Sequence, residues 1–168
     1  MLKRDGVASV ITGSGVSDNG GNQGEGVAGV SDDVDSLTFR RADRVTPAEY
    51  RTLVAAVGWR PVAQPDADLE AALGISWNVT ARTPDGQLVG LARVLDDGVL
   101  YASVWDILVV PERQRHGIGR ALLGAVLEQT AGRRLVSLIA TPAGEALYRA
   151  VGFAESDGRS TALFMRDP

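Results

Sequence analysis

The residues best suited to chemistry gather in one stretch, Pro111-Glu112-Arg113-Gln114-Arg115-His116-Gly117-Ile118-Gly119-Arg120. It follows a long apolar run and precedes apolar residues at helical spacing. Gly117 and Gly119 remove side chains where a helix begins, so backbone N–H groups can come close to a ligand oxygen. The orphan N–H groups of a first helical turn and the helix dipole together form an anion site. Arg113, Arg115 and Arg120 add positive charge around it. A diphosphate fits this chemistry. The spacing matches neither the dinucleotide fingerprint G-x-G-x-x-G nor the nucleotide-triphosphate loop G-x-x-x-x-G-K-[S/T], and the only lysine is Lys3. The structural alternative is a glycine-rich turn with no ligand.

Asp106 is the second residue of interest, because it interrupts the otherwise apolar run before the loop. A buried carboxylate there is costly without a task or a partner. It is read either as a proton acceptor or as a structural hydrogen-bond acceptor. Trp59, Trp77, Tyr101 and Trp105 could form an aromatic pocket for a ring-bearing amine or cation, or they could fill the core.

These residues need an α/β frame. Residues 37–41 read as a first strand. Thr46-Pro47-Ala48-Glu49 is a helix start, with Thr46 as cap, Pro47 where no N–H is needed, and Glu49 closing a capping box. Tyr50, Leu53, Val54 and Val57 continue at helical spacing until Gly58. A short helix is expected over 66–73. Three strands follow, over 77–82, 88–95 and 99–110, joined by glycine-marked turns as an antiparallel meander. The third ends apolar throughout, as a strand covered on both faces does. After the loop, Ile118, Leu122, Ala125, Val126 and Gln129 mark a helix, and 133–140 a strand parallel to its partner in a right-handed βαβ unit. Residues 143–151 read as a short helix ended by Gly152, with a closing strand pair over 153–155 and 162–166.

The pattern Q-x-x-G-x-G after a long apolar strand resembles the pyrophosphate loop of the GNAT superfamily of N-acetyltransferases. The resemblance covers residues 37–166 and is carried by 106–123 and by Ala146-Leu147-Tyr148-Arg149-Ala150-Val151-Gly152-Phe153. It implies a mixed central sheet with an antiparallel N-terminal meander, a βαβ CoA-binding unit and flanking helices. It also implies that the N–H groups of Gln114, Arg115, His116, Gly117, Ile118 and Gly119, with Arg120 adjacent, hold the pyrophosphate of acetyl-CoA. Ile107, Leu108 and Val109 would then pair edge-to-edge with the pantetheine arm, one of their N–H groups stabilising the oxyanion. Tyr148 stands where many members place the acid that protonates the leaving thiolate. Many also carry Asn seven residues earlier against CoA; here that position is Thr141. Asp106 and Glu112 are the candidates to take the proton of the attacking ammonium, and an ordered water chain is the alternative.

Residues 105–109, the Ala-Leu-Tyr-Arg segment, 158–165, Val57-Gly58-Trp59 and Val89-Gly90-x-x-Arg93 are similar to the plastid and cyanobacterial serotonin (arylalkylamine) N-acetyltransferase branch. The resemblance implies a small-molecule amine as acceptor. The alternatives are a polyamine, an aminoglycoside, a protein amine, or a CoA-binding sensor without turnover. Family members are often dimers, so a homodimer is an open expectation.

Composition limits the other classes. A length of 168 residues, 45% of them hydrophobic, suits one domain with an ordinary core. Residues 1–36 hold eight of the twenty glycines and no aromatic residue, and are read as a disordered tail before a 37–168 domain. Lys3 and Arg4 against six acids give the tail 2 − 6 = −4; the remainder balances, fifteen Arg against fifteen acids. A neutral domain argues against nucleic acid as main partner. The absence of cysteine removes thiol chemistry and Cys-ligated zinc, and a lone His116 argues against a His-based metal site. No apolar run approaches the roughly 20 residues of a membrane span, which makes the cytoplasm the default expectation.

Overall fold

A computed structural model describes Val10, Ile11, Val34, residues 36–156, Gly158 and Leu163. The chain divides into two compact units, Met1–Leu138 and Ile139–Pro168. The first holds a six-stranded sheet in chain order, built from β1 (Val10–Ile11), β2 (Thr38–Arg41), β3 (Trp77–Arg82), β4 (Leu88–Asp96), β5 (Tyr101–Val109) and β6 (Leu135–Leu138). Every neighbouring pair is antiparallel except β5 and β6, which run parallel. Helix α3 (Ile118–Gln129) makes the crossover between those two strands, as the βαβ reading requires. Of the 1–36 tail only Val10, Ile11, Val34 and Ser36 are described, so the rest of that expectation lies outside the described residues.

Helix α1 (Pro47–Ala56) begins as its sequence dictates. The Glu49 N–H donates to Thr46 Oγ1 (3.3 Å) while Glu49 Oε2 accepts from the Thr46 N–H (2.8 Å), closing the capping box. Its end is a glycine cap. Gly58 sits at φ +72°, its N–H donates to the Ala55 carbonyl, and the Trp59 N–H donates back to the Val54 carbonyl. Helix α2 (Asp66–Gly74) follows. Together α1 and α2 bury Tyr50, Leu53, Val54, Leu69 and Leu73 against Leu88, Leu91 and Leu108 of the sheet.

The other face of the sheet carries α3. Its Ile118, Leu122, Leu123, Ala125 and Val126 are buried, at the spacing that makes one apolar stripe. Gly90 on β4 sets how closely this helix sits. A Cβ there would lie 3.1 Å from Ile118 Cγ2, 3.2 Å from Ala81 Cβ and 3.2 Å from Leu122 Cδ1.

Strand β6 is shorter than the 133–140 run suggests. At its start the N–H groups of Arg134 and Leu135 both turn to the Leu100 carbonyl (2.8 and 3.2 Å), and Arg133 reaches sideways to grip Asp96 with two hydrogen bonds (2.7 and 2.8 Å). At its end, pairing stops at Val104 and Leu138, where β5 leaves regular geometry.

In the second unit, α4 (Glu145–Arg149) is likewise shorter than the 143–151 reading. Gly152 at φ +100° turns the chain, so its own N–H meets the Arg149 carbonyl and the Phe153 N–H meets the Tyr148 carbonyl. This cap uses the Phe153 donor that a strand ladder would need, and residues 153–155 are irregular rather than a strand. Most of their expected partner, 162–166, lies outside the described residues. No helix among the described residues is long and apolar enough to cross a membrane.

Candidate functional site

The site begins at the end of β5. Opposite β4, Trp105 pairs with Arg93 and Leu108 with Leu91, so Asp106 and Ile107 together face Ala92 alone. This is a β-bulge, and Asp106 takes its strain at φ +53°. Side chains opposite one another in an antiparallel pair share a face, which places Trp105 on the face of Arg93 and Leu91. Strict alternation would then send Asp106 to the α3 face. The bulge instead turns it onto the α1–α2 face, where its Oδ2 accepts from Arg93 Nε (2.7 Å) and from the Tyr50 hydroxyl (2.9 Å). Arg93 also stacks over the Tyr50 ring, 5.8 Å from its centroid, and donates to Ser76 Oγ (3.1 Å). Burial, then the neighbouring Asp106 charge, pushes the Tyr50 phenol far above its ordinary range. Tyr50 therefore stays a donor.

Just before the bulge, β5 loses β6. The backbone of 105–109 pairs with β4 on one side, and no described strand pairs with its other edge. That edge holds Ile107, Leu108 and Val109, and it runs straight into the loop. Pro111–Arg113 make one 3₁₀ turn with Glu112 exposed upon it. The Gln114 N–H closes this turn onto the Pro111 carbonyl (3.2 Å), and its Nε2 donates to the Val109 carbonyl (2.9 Å). Gln114 is thus a brace between strand end and loop. In this structure its N–H closes the turn at the foot of the loop.

Arg115 (φ +69°) and Gly117 (φ +85°) both adopt left-handed backbone, a cost of about 1–3 kcal/mol for the non-glycine residue. Gly117 caps α3 without a side-chain bond. The helix makes its first hydrogen bond from the Ala121 N–H to the Gly117 carbonyl (3.0 Å). Ile118, Gly119 and Arg120 therefore present the N–H groups of an open helix N-terminus. Arg115 and Arg120 are exposed beside it, His116 and Gly119 half-buried. The Ile118 side chain is 1% exposed and anchors the loop above Gly90.

Thr141 and Tyr148 belong to the second unit. Thr141 is exposed, and its carbonyl accepts from the Gly144 and Glu145 N–H groups (2.9 and 3.0 Å). The Tyr148 ring folds back over the start of its own helix, in the direction helical side chains lean. A Cβ on Gly144 would lie 3.1 Å from Tyr148 Cε2 and 3.5 Å from its hydroxyl. Phe153 meets the same ring edge-on at 6.3 Å. Burial raises the Tyr148 phenol above its usual value, so it carries its proton at neutral pH. Gly144 gives the phenol its room, a role that only the back-folded ring reveals.

The four aromatic residues considered as a pocket do not fill the core. Trp77 is half-buried; Trp59, Tyr101 and Trp105 are exposed. Half-buried Asp43 joins the buried Arg82 and Thr80 in a polar cluster that no sequence motif announces. Arg82 Nε and Thr80 Oγ1 both donate to Asp43 Oδ2 (2.7 Å each), and Arg82 NH1 reaches Glu49 (2.6 Å). Glu49 is the cluster's one legible member, through its capping box. Among the described residues no group of three or more His, Cys, Asp or Glu side chains could hold a metal.

Comparison with known proteins bears on this geometry. The acetyltransferase (GNAT) domain model matches residues 77–155, the span from β3 through the α4 cap. A GNAT-family acetyltransferase of Streptococcus pneumoniae superposes with a TM-score of 0.66 at 30% identity, over 78% of this chain and 98% of that one. The GCN5-related N-acetyltransferase 1, chloroplastic, of Arabidopsis thaliana is 29% identical over 143 residues, 80% of this chain and 72% of that protein. The serotonin N-acetyltransferase 2, chloroplastic, of Oryza sativa is 36% identical over 77 residues, 45% of this chain and 38% of that protein. A mixed sheet with a bulged, half-unpaired strand feeding an open helix N-terminus, matched along nearly the full length of a GNAT-family enzyme, places this chain in the GNAT family of N-acetyltransferases.

Proposed function

We propose that the protein transfers the acetyl group of acetyl-CoA to the primary amine of a small, ring-bearing molecule, an arylalkylamine, by direct attack in a ternary complex. One observation carries the reading: the edge of Ile107, Leu108 and Val109, unpaired among the described residues, continues directly into the open N-terminus of α3. An extended amide chain pairs with the first while its diphosphate meets the second. The N–H groups of residues 114–119 serve the phosphates, with Arg120 neutralising charge and the Gln114 side chain fixing the loop to the strand. Thr141, at the position where the family resemblance places an Asn against CoA, is a further cofactor contact on this reading.

In the reaction the amine nitrogen bonds to the thioester carbon and the carbonyl becomes an oxyanion, held by an N–H of the 107–109 edge. The C–S bond then breaks, the thiolate takes the Tyr148 proton, and the surplus proton on the new amide nitrogen returns to the Tyr148 phenolate. The first ammonium proton goes to solvent water before the attack. Glu112 is out on the exposed turn, and Asp106 already holds two donors on Oδ2. The structural reading of Asp106 is thus preferred over the base reading. Trp105, exposed on the face away from α3, and the partial rice match support the ring-bearing acceptor.

Calorimetry with acetyl-CoA, and a thermal-shift panel of amines in its presence, tests the proposal. Micromolar binding and a further shift by arylalkylamines are expected; no binding refutes it. Tyr148→Phe should lower kcat while leaving CoA affinity intact, and an unchanged kcat removes the acid assignment. In Asp106→Asn, kcat/KM should still rise with pH with the wild-type slope. A flattened profile would restore Asp106 as the base.

A further inference from the structure

From the contacts around Asp106 we infer that Tyr50 and Arg93 are positioning residues. They form a clamp that holds the β5 bulge and so keeps the pantetheine edge open. The inference rests on the acetyl-CoA reading for its ligand, though not for its structural content. A strand with an exposed template edge tends to pair, and β6 lies alongside β5 as far as Val104 and Leu138. What keeps the ladder from continuing is the bulge, because an extra residue bends the strand and increases its local twist. The bulge is not self-supporting. It places a non-glycine residue at φ +53°, conformational strain that persists only where the surroundings over-determine it.

Those surroundings are two donors on one carboxylate oxygen. The Asp106 side chain is 10% exposed and that of Arg93 17%, so the bond between them is charge-assisted and shielded from water. The Tyr50 hydroxyl brings the second donor from α1. Arg93 is held in turn by Ser76 Oγ and the Ala72 carbonyl (3.1 and 3.4 Å) at the end of α2. Both helices of the α1–α2 face are therefore tied to the one residue that decides where β5 turns. A slip of one residue would carry Asp106 to the α3 face, away from both donors.

The test uses the full chain with Tyr50→Phe, Arg93→Gln and Arg93→Lys. Calorimetry is run against acetyl-CoA and against ADP, which has the diphosphate but no pantetheine. Tyr50→Phe and Arg93→Gln should weaken acetyl-CoA by roughly tenfold or more, since small misplacements of a binding edge are costly. ADP affinity should not move, and Arg93→Lys should recover most of the loss. Amide hydrogen exchange provides the readout independent of ligand: rates should change across 105–109 and stay constant across β3. Unchanged acetyl-CoA affinity in both variants overturns the clamp, as does a parallel loss of acetyl-CoA and ADP. Should the wild type bind neither ligand, the acetyl-CoA reading fails, and the clamp is judged on exchange alone, where constant rates at 105–109 refute it.

Discussion

Replacing Gly90 by Ala adds one methyl group at the tightest point between the sheet and α3. Carbon atoms in good contact lie about 3.5–4.0 Å apart, whereas the new Cβ would stand 3.1 Å from Ile118 Cγ2 and 3.2 Å from Ala81 Cβ and Leu122 Cδ1. Ala81 is the ladder partner of Gly90 on β3 and cannot retreat without breaking pairing. The helix must therefore lift at its first turns. Overpacking of this kind costs about 1–3 kcal/mol, and the lost backbone freedom of glycine offsets about 0.5–1 kcal/mol. A net loss of about 1 kcal/mol remains, within a range of about 0–2.5 kcal/mol, and each kcal/mol lowers Tm by roughly 2–4 °C for a chain of this size. Gly124→Ala is the control. It makes the same chemical change within α3, where an added Cβ meets nothing within 4 Å, and should stabilise by about 0.5–1 kcal/mol. Denaturant titration and calorimetric melting of both variants measure the difference. A stabilised Gly90→Ala would refute the packing argument, and so would two variants that shift in the same direction. Because Ile118 opens the loop helix, Gly90→Ala should also weaken acetyl-CoA, whereas Gly124→Ala should not.

Gly119→Glu puts a carboxylate among the open N–H groups of α3. Acetyl-CoA affinity should fall by roughly a hundredfold or more while Tm holds or rises, since acids favour helix N-termini; retained affinity would show that the phosphates bind elsewhere. The paired hydrogen bonds from Arg133, with the Gly98 N–H, lower the Asp96 carboxyl to about 2 despite its burial. A depressed pKa contributes stability that is complete above the ordinary carboxyl range and is lost as pH falls through about 4 to about 2. Acid titration of wild type and Asp96→Asn should thus show a steeper loss in the wild type, and parallel curves would remove Asp96 from the account. Arg82→Ala leaves Asp43 without its guanidinium in a site where the arginine side chain was 7% exposed, and should cost about 3–5 kcal/mol. A loss below about 1 kcal/mol in urea titration would show that the cluster is solvated.

What the sequence made legible is what a few neighbouring residues decide. Thr46 and Glu49 are three apart, and both the capping box and the helix they start are as read. The two glycine turns of the meander, the loop and the parallel β5–β6 pair follow from local signals of the same kind. The bulge does not. Its reason lies in Tyr50, 56 residues before Asp106, and in Arg93, 13 residues before it, so the apolar run around Asp106 reads as a plain strand. Gly90 is equally opaque, since the atoms that require it belong to Ile118 and Leu122. Of the loop residues, Gln114 has a second role that its motif did not announce: its side chain ties the loop to the Val109 carbonyl, and its N–H closes a 3₁₀ turn begun by Pro111. The end of β6 was missed for a third reason, because a strand stops where its partner bends away.

The edge of β5 that no described strand covers has a bearing on the protein's life outside the reaction. An unpaired strand edge inside a sheet is a template for any extended chain, its own copies included. On the proposed reading, a cosubstrate lying along it would act as a temporary strand. It would thus shield the molecule from self-association and stabilise the fold by mass action, about 2.7 kcal/mol at a hundredfold excess over Kd. The cellular acetyl-CoA level would then govern how long the enzyme survives as well as how fast it works.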